Sequence, residues 1–98
     1  MYINYKHLHR VIEEVENYAI LFMDRDGYIK SWNTGAEKIK GYTSDEIIGK
    51  NFRCFYTDED RANGKPDKLL DIALTEGRAY DEGWRVRKDC SKFWGSIT

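Results

Sequence analysis

Apolar positions along this chain change period several times, and each change marks an element. Leu8, Val11, Ile12 and Val15 recur at spacings of three and four, with Arg10, Glu13, Glu14 and Glu16 elsewhere, which predicts an amphipathic helix over residues 1–17. Residues 19–23 form a short apolar run that suits a strand. The turn Asp24-Arg25-Asp26-Gly27 follows, with Gly27 free to take positive φ, and residues 28–32 read as the returning strand. Two mini-helices come next. Asn33 or Thr34 can cap the first, with Thr34 and Glu37 at capping-box spacing, and Gly41 closes it; Thr43 with Glu46 repeats the box and Gly49 closes the second. Residues 52–56 predict an aromatic-rich turn or short helix, and 57–64 a polar loop. Pro66 suits the first turn of a helix ending at Gly77, with Leu69, Leu70, Ile72, Ala73 and Leu74 as its buried side. Strands over 79–87 and 92–98 complete the pattern, joined by Lys88-Asp89-Cys90-Ser91. The order predicts an α+β fold, helices on one face of an antiparallel sheet, behind an N-terminal flanking helix.

Three stretches together carry a family resemblance: the run WNTGAEKIKGYTSDEIIGKN over residues 32–51, the DRDG hairpin before it, and the hairpin WRVRKDCSKFW over 84–94. In this order they resemble the PAS family across residues 18–98, with 1–17 as a flanking helix. The resemblance implies a five-stranded antiparallel sheet whose last strand lies between the first and the fourth. Here the readable strands stop with the fourth, at Thr98, so the fifth is expected to be missing. The first and fourth strands would then expose unpaired backbone donors and acceptors. That predicts a homodimer, with strands or helices possible as exchanged elements, or a poorly stable monomer. Cys90 stands in a tight turn where relatives usually carry Gly; a Cβ at positive φ there costs about 1 kcal/mol.

The resemblance also implies a small-molecule pocket between sheet and helices. Alternation, set against the light-oxygen-voltage branch of the family, turns Arg85, Phe93, Gly95 and Ile97 toward that pocket, with Leu21 and Met23 from the first strand. Ile39, Ile48, Phe52, Leu69 and Ile72 complete the candidate lining; plain core packing is the alternative for each. Arg85, facing inward, needs an anion, either Asp81 or Glu82 or an acidic ligand. Ile20, Phe22, Trp84, Val86, Trp94 and Ser96 fall on the other face. That apolar surface calls for cover, and the helix of Leu8, Val11, Ile12 and Val15, its own or a partner's, is the candidate. Some relatives pair the residues that are Glu46 and Lys88 here, which implies a helix-to-sheet ion pair worth at most about 1 kcal/mol.

The comparison argues against two cofactors. Flavin photoreceptors carry a cysteine directly after the asparagine that is Asn51 here, and this chain has Phe52; Arg85 and Gly95 replace the two asparagines that hold the flavin ring. Haem-binding relatives take an axial histidine from the long helix, whereas His7 and His9 both lie on the leading helix and no Cys or carboxylate completes a metal site beside them. The D-x-D opening of a calcium loop occurs at Asp24, without the further ligands or closing Glu at the required spacing.

Composition narrows the function. Ninety-eight residues, 41% hydrophobic and 34% charged, make one domain with a modest core. A net charge of -1 offers no basic field for nucleic acid. The longest apolar run, residues 19–23, is too short for a bilayer, and no charged-then-apolar leader opens the sequence, so no direct membrane contact is expected. Two cysteines, Cys54 and Cys90, suit a reduced, cytoplasmic setting. No nucleophile with a partnered base and no phosphate-cradling loop is visible, so the domain is expected to be non-catalytic. The expected function is a sensor that binds a small ligand or partner and relays the signal to an effector in its parent chain. By resemblance that parent is a bacterial or archaeal histidine kinase of a two-component system or a cyclic-dinucleotide enzyme. The alternative is a ligand-free dimerisation or protein-interaction module.

Overall fold

The computed structural model describes residues 5–98. Its elements run α1 (Tyr5–Glu14), α2 (Thr34–Lys40), α3 (Ser44–Ile47), a 3-10 turn (Phe52–Phe55), α4 (Asp58–Ala62), α5 (Lys65–Glu76), β1 (Asp81–Val86) and β2 (Lys92–Ile97). This is the expected α+β plan. The core is built from the first hairpin, α2, α3 and the 3-10 turn, whose Ile29, Trp32, Ala36, Ile47, Phe52 and Phe55 are buried together with Tyr56. Trp32 stacks on Phe55 at 5.7 Å between ring centres, and its indole N–H donates to the Tyr42 carbonyl at 2.9 Å, so its one polar atom is satisfied.

β1 and β2 pair antiparallel with Arg85 opposite Phe93 and Trp84 opposite Trp94. Their joining turn places Cys90 at φ 70°, the left-handed conformation expected there. The first hairpin is less regular than its sequence predicts. The Phe22 carbonyl accepts from both Lys30 N–H, at 2.8 Å, and Ser31 N–H, at 3.3 Å, while Ser31 Oγ takes the Phe22 N–H at 2.9 Å. Two residues thus oppose one, a β-bulge, and the continuous strands expected over 19–23 and 28–32 reduce to a bridge between Met23 and Ile29. The Asp24 carboxylate accepts from the Asp26 and Tyr28 N–H groups, which fixes the turn and holds its pKa below the usual carboxylate range.

Three further expectations change. The flanking helix was predicted over 1–17; residues 1–4 lie outside the described part, and α1 ends at Glu14. It stops because the next carbonyls are taken from the side: Val15 O accepts from Gly35 N–H at 2.9 Å and from Asn33 Nδ2 at 3.0 Å. A Cβ at Gly35 would stand 2.0 Å from the Tyr18 carbonyl oxygen, so only glycine permits this approach. The polar loop expected over 57–64 contains α4. Thr57 caps it through Asp60 N–H, and Asp58, Glu59 and Asp60 favour its first turn electrostatically. In α5 the inward stripe is Pro66, Leu69, Leu70 and Ala73, at spacings of three and four. Ile72 and Leu74 fall off that stripe and are exposed, contrary to the buried side expected for them.

Candidate functional site

Helix α2 positions the site through its two ends. At its N-terminus Asn33 is the cap, rather than Thr34: Oδ1 accepts from Ala36 N–H at 2.8 Å and also from Ile20 N–H at 2.8 Å. Nδ2 donates to the carbonyls of Ile12, Val15 and Tyr18 at 3.2, 3.0 and 2.9 Å. One buried amide therefore ties α1, the first hairpin and α2 together.

At the C-terminus the last hairpin takes the carbonyls that α2 leaves unpaired. Arg87 Nε donates to Ile39 O at 3.0 Å and Lys88 N–H to Lys40 O at 2.9 Å. Gly41, at φ 86°, turns the chain away. The Lys88 ammonium pairs with Glu46, the ion pair expected from the sequence. Glu46 also closes its capping box with Thr43, and the Lys88 contact followed by the Thr43 hydrogen bonds holds its carboxyl down to about 2.

Between the first hairpin and β2, above α2 and the 3-10 turn, lies a cavity of about 590 Å³. Residues 17–21 and Met23 border it on one side and residues 93–98 on the other, with Ile39, Lys40, Phe52, Phe55, Tyr56 and Arg85 between. Leu21, Met23, Arg85, Phe93, Gly95 and Ile97, the residues alternation turns inward, line it with Ile39 and Phe52; Ile20, Trp94 and Ser96, expected on the other face, also border it. Three other candidates do not. Ile48 follows the buried Ile47 at the end of a single-turn helix, so it points away, into a second cleft of about 160 Å³ beside Ile12 and Phe22. Leu69 packs against the core instead, and Ile72 is exposed on α5.

Arg85 is 1% exposed. Its guanidinium donates to Asp81 Oδ2 at 2.8 Å and to the Trp84 carbonyl at 3.0 Å, and it lies over the Tyr56 ring at 4.1 Å. The anion it needs is therefore Asp81, of the two carboxylates expected. Asp81 also faces Lys65 at 3.2 Å; burial alone would raise its carboxyl, but the bonds from Arg85 and Lys65 hold it below the usual range. Burial pushes the Tyr56 phenol and the Cys54 thiol up.

Lys40 is the residue that sequence reasoning missed. Only 6% exposed, it forms no ion pair or hydrogen bond through its ammonium among the described residues. Its Nζ stands 4.4 Å from the centre of the Phe55 ring and 5.3 Å from that of Phe93. Such contacts are worth about 0.5–2 kcal/mol, against an effective burial cost of several kcal/mol for an ammonium. The balance shows in its pKa, pushed from 10.5 down to about 8, first by burial and then by the Arg85 and Arg87 charges.

The outer face of the last hairpin carries Trp84 and Trp94, edge to face at 5.3 Å and 50% and 57% exposed, with Phe22 also exposed and Val86 half-buried. α1 lies beside α2, so the chain's own helix leaves the two tryptophans uncovered. Ile12 and Val15 are half-buried; Leu8 and Val11 are exposed, as are His7 and His9. Among the described residues no group of three His, Cys, Asp or Glu side chains is placed to hold a metal ion, and no helix is long and apolar enough to cross a membrane.

The sequence matches the PAS domain family over residues 17–98. A curated relative, two-component system protein A of Emericella nidulans, is 49% identical over 87 residues; these cover 89% of this chain but 13% of the relative. Two solved structures share the fold. A PAS domain from Colwellia psychrerythraea superposes with a TM-score of 0.80 at 24% identity, covering 91% of this chain and 74% of that one. The PAS domain, in complex with ethanol, of a LuxR-family transcriptional regulator from Burkholderia thailandensis gives 0.74 at 20% identity, covering 96% and 79%.

Proposed function

This chain belongs to the PAS domain family, and we propose that it is the ligand-binding sensor of a two-component signalling protein. A small molecule enters the cavity between the last hairpin and the helices, and its presence is passed to an effector elsewhere in the parent protein, a histidine kinase. The observation that carries this reading is the 590 Å³ cavity itself, large enough for a small ligand and lined mainly by apolar side chains with a few charged groups. The name of the Emericella nidulans relative supports the signalling context, and the ethanol complex of the Burkholderia thailandensis domain supports ligand entry into this fold. Relay requires that the ligand favour one of two arrangements. The contact of Arg87 and Lys88 with the end of α2 is the suited lever, because the hairpin that borders the cavity grips the helix there. The domain acts by binding, and catalysis belongs to the effector. Free thiols at Cys54 and Cys90 favour a cytoplasmic setting. Native mass spectrometry of gently purified protein, followed by solvent extraction, tests the proposal. A stoichiometric small molecule is expected; protein that carries none, and takes none from a metabolite mixture, would overturn it.

A second reading, a dimerisation module, is favoured by the uncovered Trp84, Trp94 and Phe22 surface. A second copy whose α1 covers this face would supply the homodimer. Light scattering should give twice the monomer mass for the wild type and the monomer mass for Trp94→Glu; a monomeric wild type would rule this reading out.

A further inference from the structure

We infer that the ligand of this cavity is a small organic anion, a monocarboxylate with an apolar body, whose charged end seats on the Lys40 ammonium. The inference rests on the sensor reading above and goes further by naming the ligand's chemical class. Lys40 lines the cavity, so what little exposure its side chain keeps is toward the space a ligand would fill. An ammonium so short of water is normally matched by a carboxylate or by several hydrogen-bond acceptors. Lys40 has neither among the described residues; two ring faces surround it. The half-buried Asp81 carboxylate is already engaged by both Arg85 and Lys65. Arg85 and Arg87 add two further positive charges around the same ring cluster: Arg85 over Tyr56, and Arg87 over Phe93 at 4.5 Å. Of these cations Lys40 and Arg85 border the cavity, and Arg85 is already paired with Asp81, so the wall is positive at one end through Lys40 and apolar along Leu21, Met23, Phe52 and Ile97. A neutral ligand would leave the charge on Lys40 uncompensated, and a cation would be repelled. A carboxylate at the ammonium with its chain along the apolar wall satisfies both parts.

Calorimetric titration with octanoate, octan-1-ol and octylammonium tests this with one chain length and three charges. At pH 7 octanoate is expected to bind one site at least tenfold tighter than octanol, and octylammonium not to bind. In Lys40→Met octanoate should fall to the octanol level. Should that variant not fold, the wild type still decides the matter. Octanoate affinity should drop severalfold from pH 7 to pH 9 as Lys40 loses its proton near 8, and octanol affinity should not. The Arg85 and Arg87 guanidiniums and the Cys54 thiol also act on Lys40; burial pushes the thiol up, so it stays neutral over most of this range, as does the Tyr56 phenol under Arg85. Equal binding of octanoate and octanol would overturn the anion assignment while leaving a ligand-binding cavity. Failure of all three to bind would overturn it too, and the native mass measurement then decides the sensor reading separately.

Discussion

The two ends of helix α2 are both buried and both polar, and they solve the problem of burial in opposite ways. At the N-terminal end Asn33 spends its amide entirely on backbone groups: two N–H donors reach its oxygen and three carbonyls its nitrogen. At the C-terminal end Lys40 is almost as deeply buried, but its charge meets two aromatic faces and the cavity, with no carboxylate among the described residues. A neutral side chain that completes the hydrogen bonding of three segments is a structural joint. A charge held without a counter-charge costs stability and is explained by what it can bind. Similar burial at the two ends of seven residues therefore does not imply a similar role.

The largest test of this contrast is Asn33→Ala. It strands three backbone groups, the Ile20 and Ala36 N–H donors and the Tyr18 carbonyl, while the Ile12 and Val15 carbonyls keep their backbone donors. The site is 3% exposed, and each unsatisfied group there costs about 1–3 kcal/mol. A loss of about 3 kcal/mol or more in urea unfolding is expected, with α1 released first as judged by hydrogen exchange. If the loss is below about 1 kcal/mol, the joint is not what holds α1 to the domain.

Lys40→Met runs the other way. A folded pKa near 8 against 10.5 corresponds to about 3 kcal/mol of penalty while the lysine is protonated in both states. Replacing it by an uncharged thioether of similar length should therefore stabilise the domain at pH 7, by about 1–3 kcal/mol. The sign of the pH dependence follows. Between pH 8 and 10.5 the unfolded chain still binds the proton that the folded one has released, so the lysine's penalty shrinks as pH rises. The advantage of the variant over wild type should narrow across that window in parallel unfolding curves. A destabilised Lys40→Met at pH 7 would mean that its ring contacts outweigh its burial.

How far each end was legible in the sequence follows from what its chemistry needs. Asn33 could be read as a cap because the cap bond is local; its bonds to Ile12, Val15 and Tyr18 span up to 21 residues and leave no mark in composition. Lys40 carried no signal at all. A lysine in the last turn of a helix reads as a solvated group that favours the helix dipole, and only the fold brings Phe55 and Phe93 around it. The last hairpin was legible in full facing, since strict alternation sends Arg85, Phe93, Gly95 and Ile97 one way and both tryptophans the other. The first hairpin was not, because a bulge shifts pairing without altering the residues that form it. α4 escaped notice for the opposite reason to Lys40: its cap and acidic first turn were visible, but it buries no apolar stripe.

The turn that brings Lys88 onto α2 offers a smaller test. Cys90 sits at φ 70° and is exposed, so its Cβ is strained and its side chain contributes no core packing. Cys90→Gly should stabilise the domain by about 1 kcal/mol, reduced somewhat by the greater freedom of glycine in the unfolded chain. For a domain of this size that is a rise of a few degrees in Tm. An unchanged or lower Tm would show that the turn relaxes around the cysteine and that its conformation is not under strain.

The smallest effect belongs to the surface pair at the same end of α2. Glu46 and Lys88 are solvent-exposed, so their attraction is screened and mutual ordering offsets part of it. Glu46→Gln keeps a capping-box acceptor for the Thr43 N–H and removes only the charge. Its sign with pH is opposite to that of Lys40. A carboxyl held near 2 in the folded state, against 4.5 otherwise, contributes stability above pH 4.5 and loses it as pH falls toward 2. The difference between wild type and Glu46→Gln should therefore be small at pH 7, vanish toward pH 2, and shrink in high salt. If Glu46→Gln instead matched the loss from Asn33→Ala, the C-terminal end of α2 would be held by its surface charges, and the contrast between a buried neutral joint and a buried unpaired charge would no longer separate structure from function.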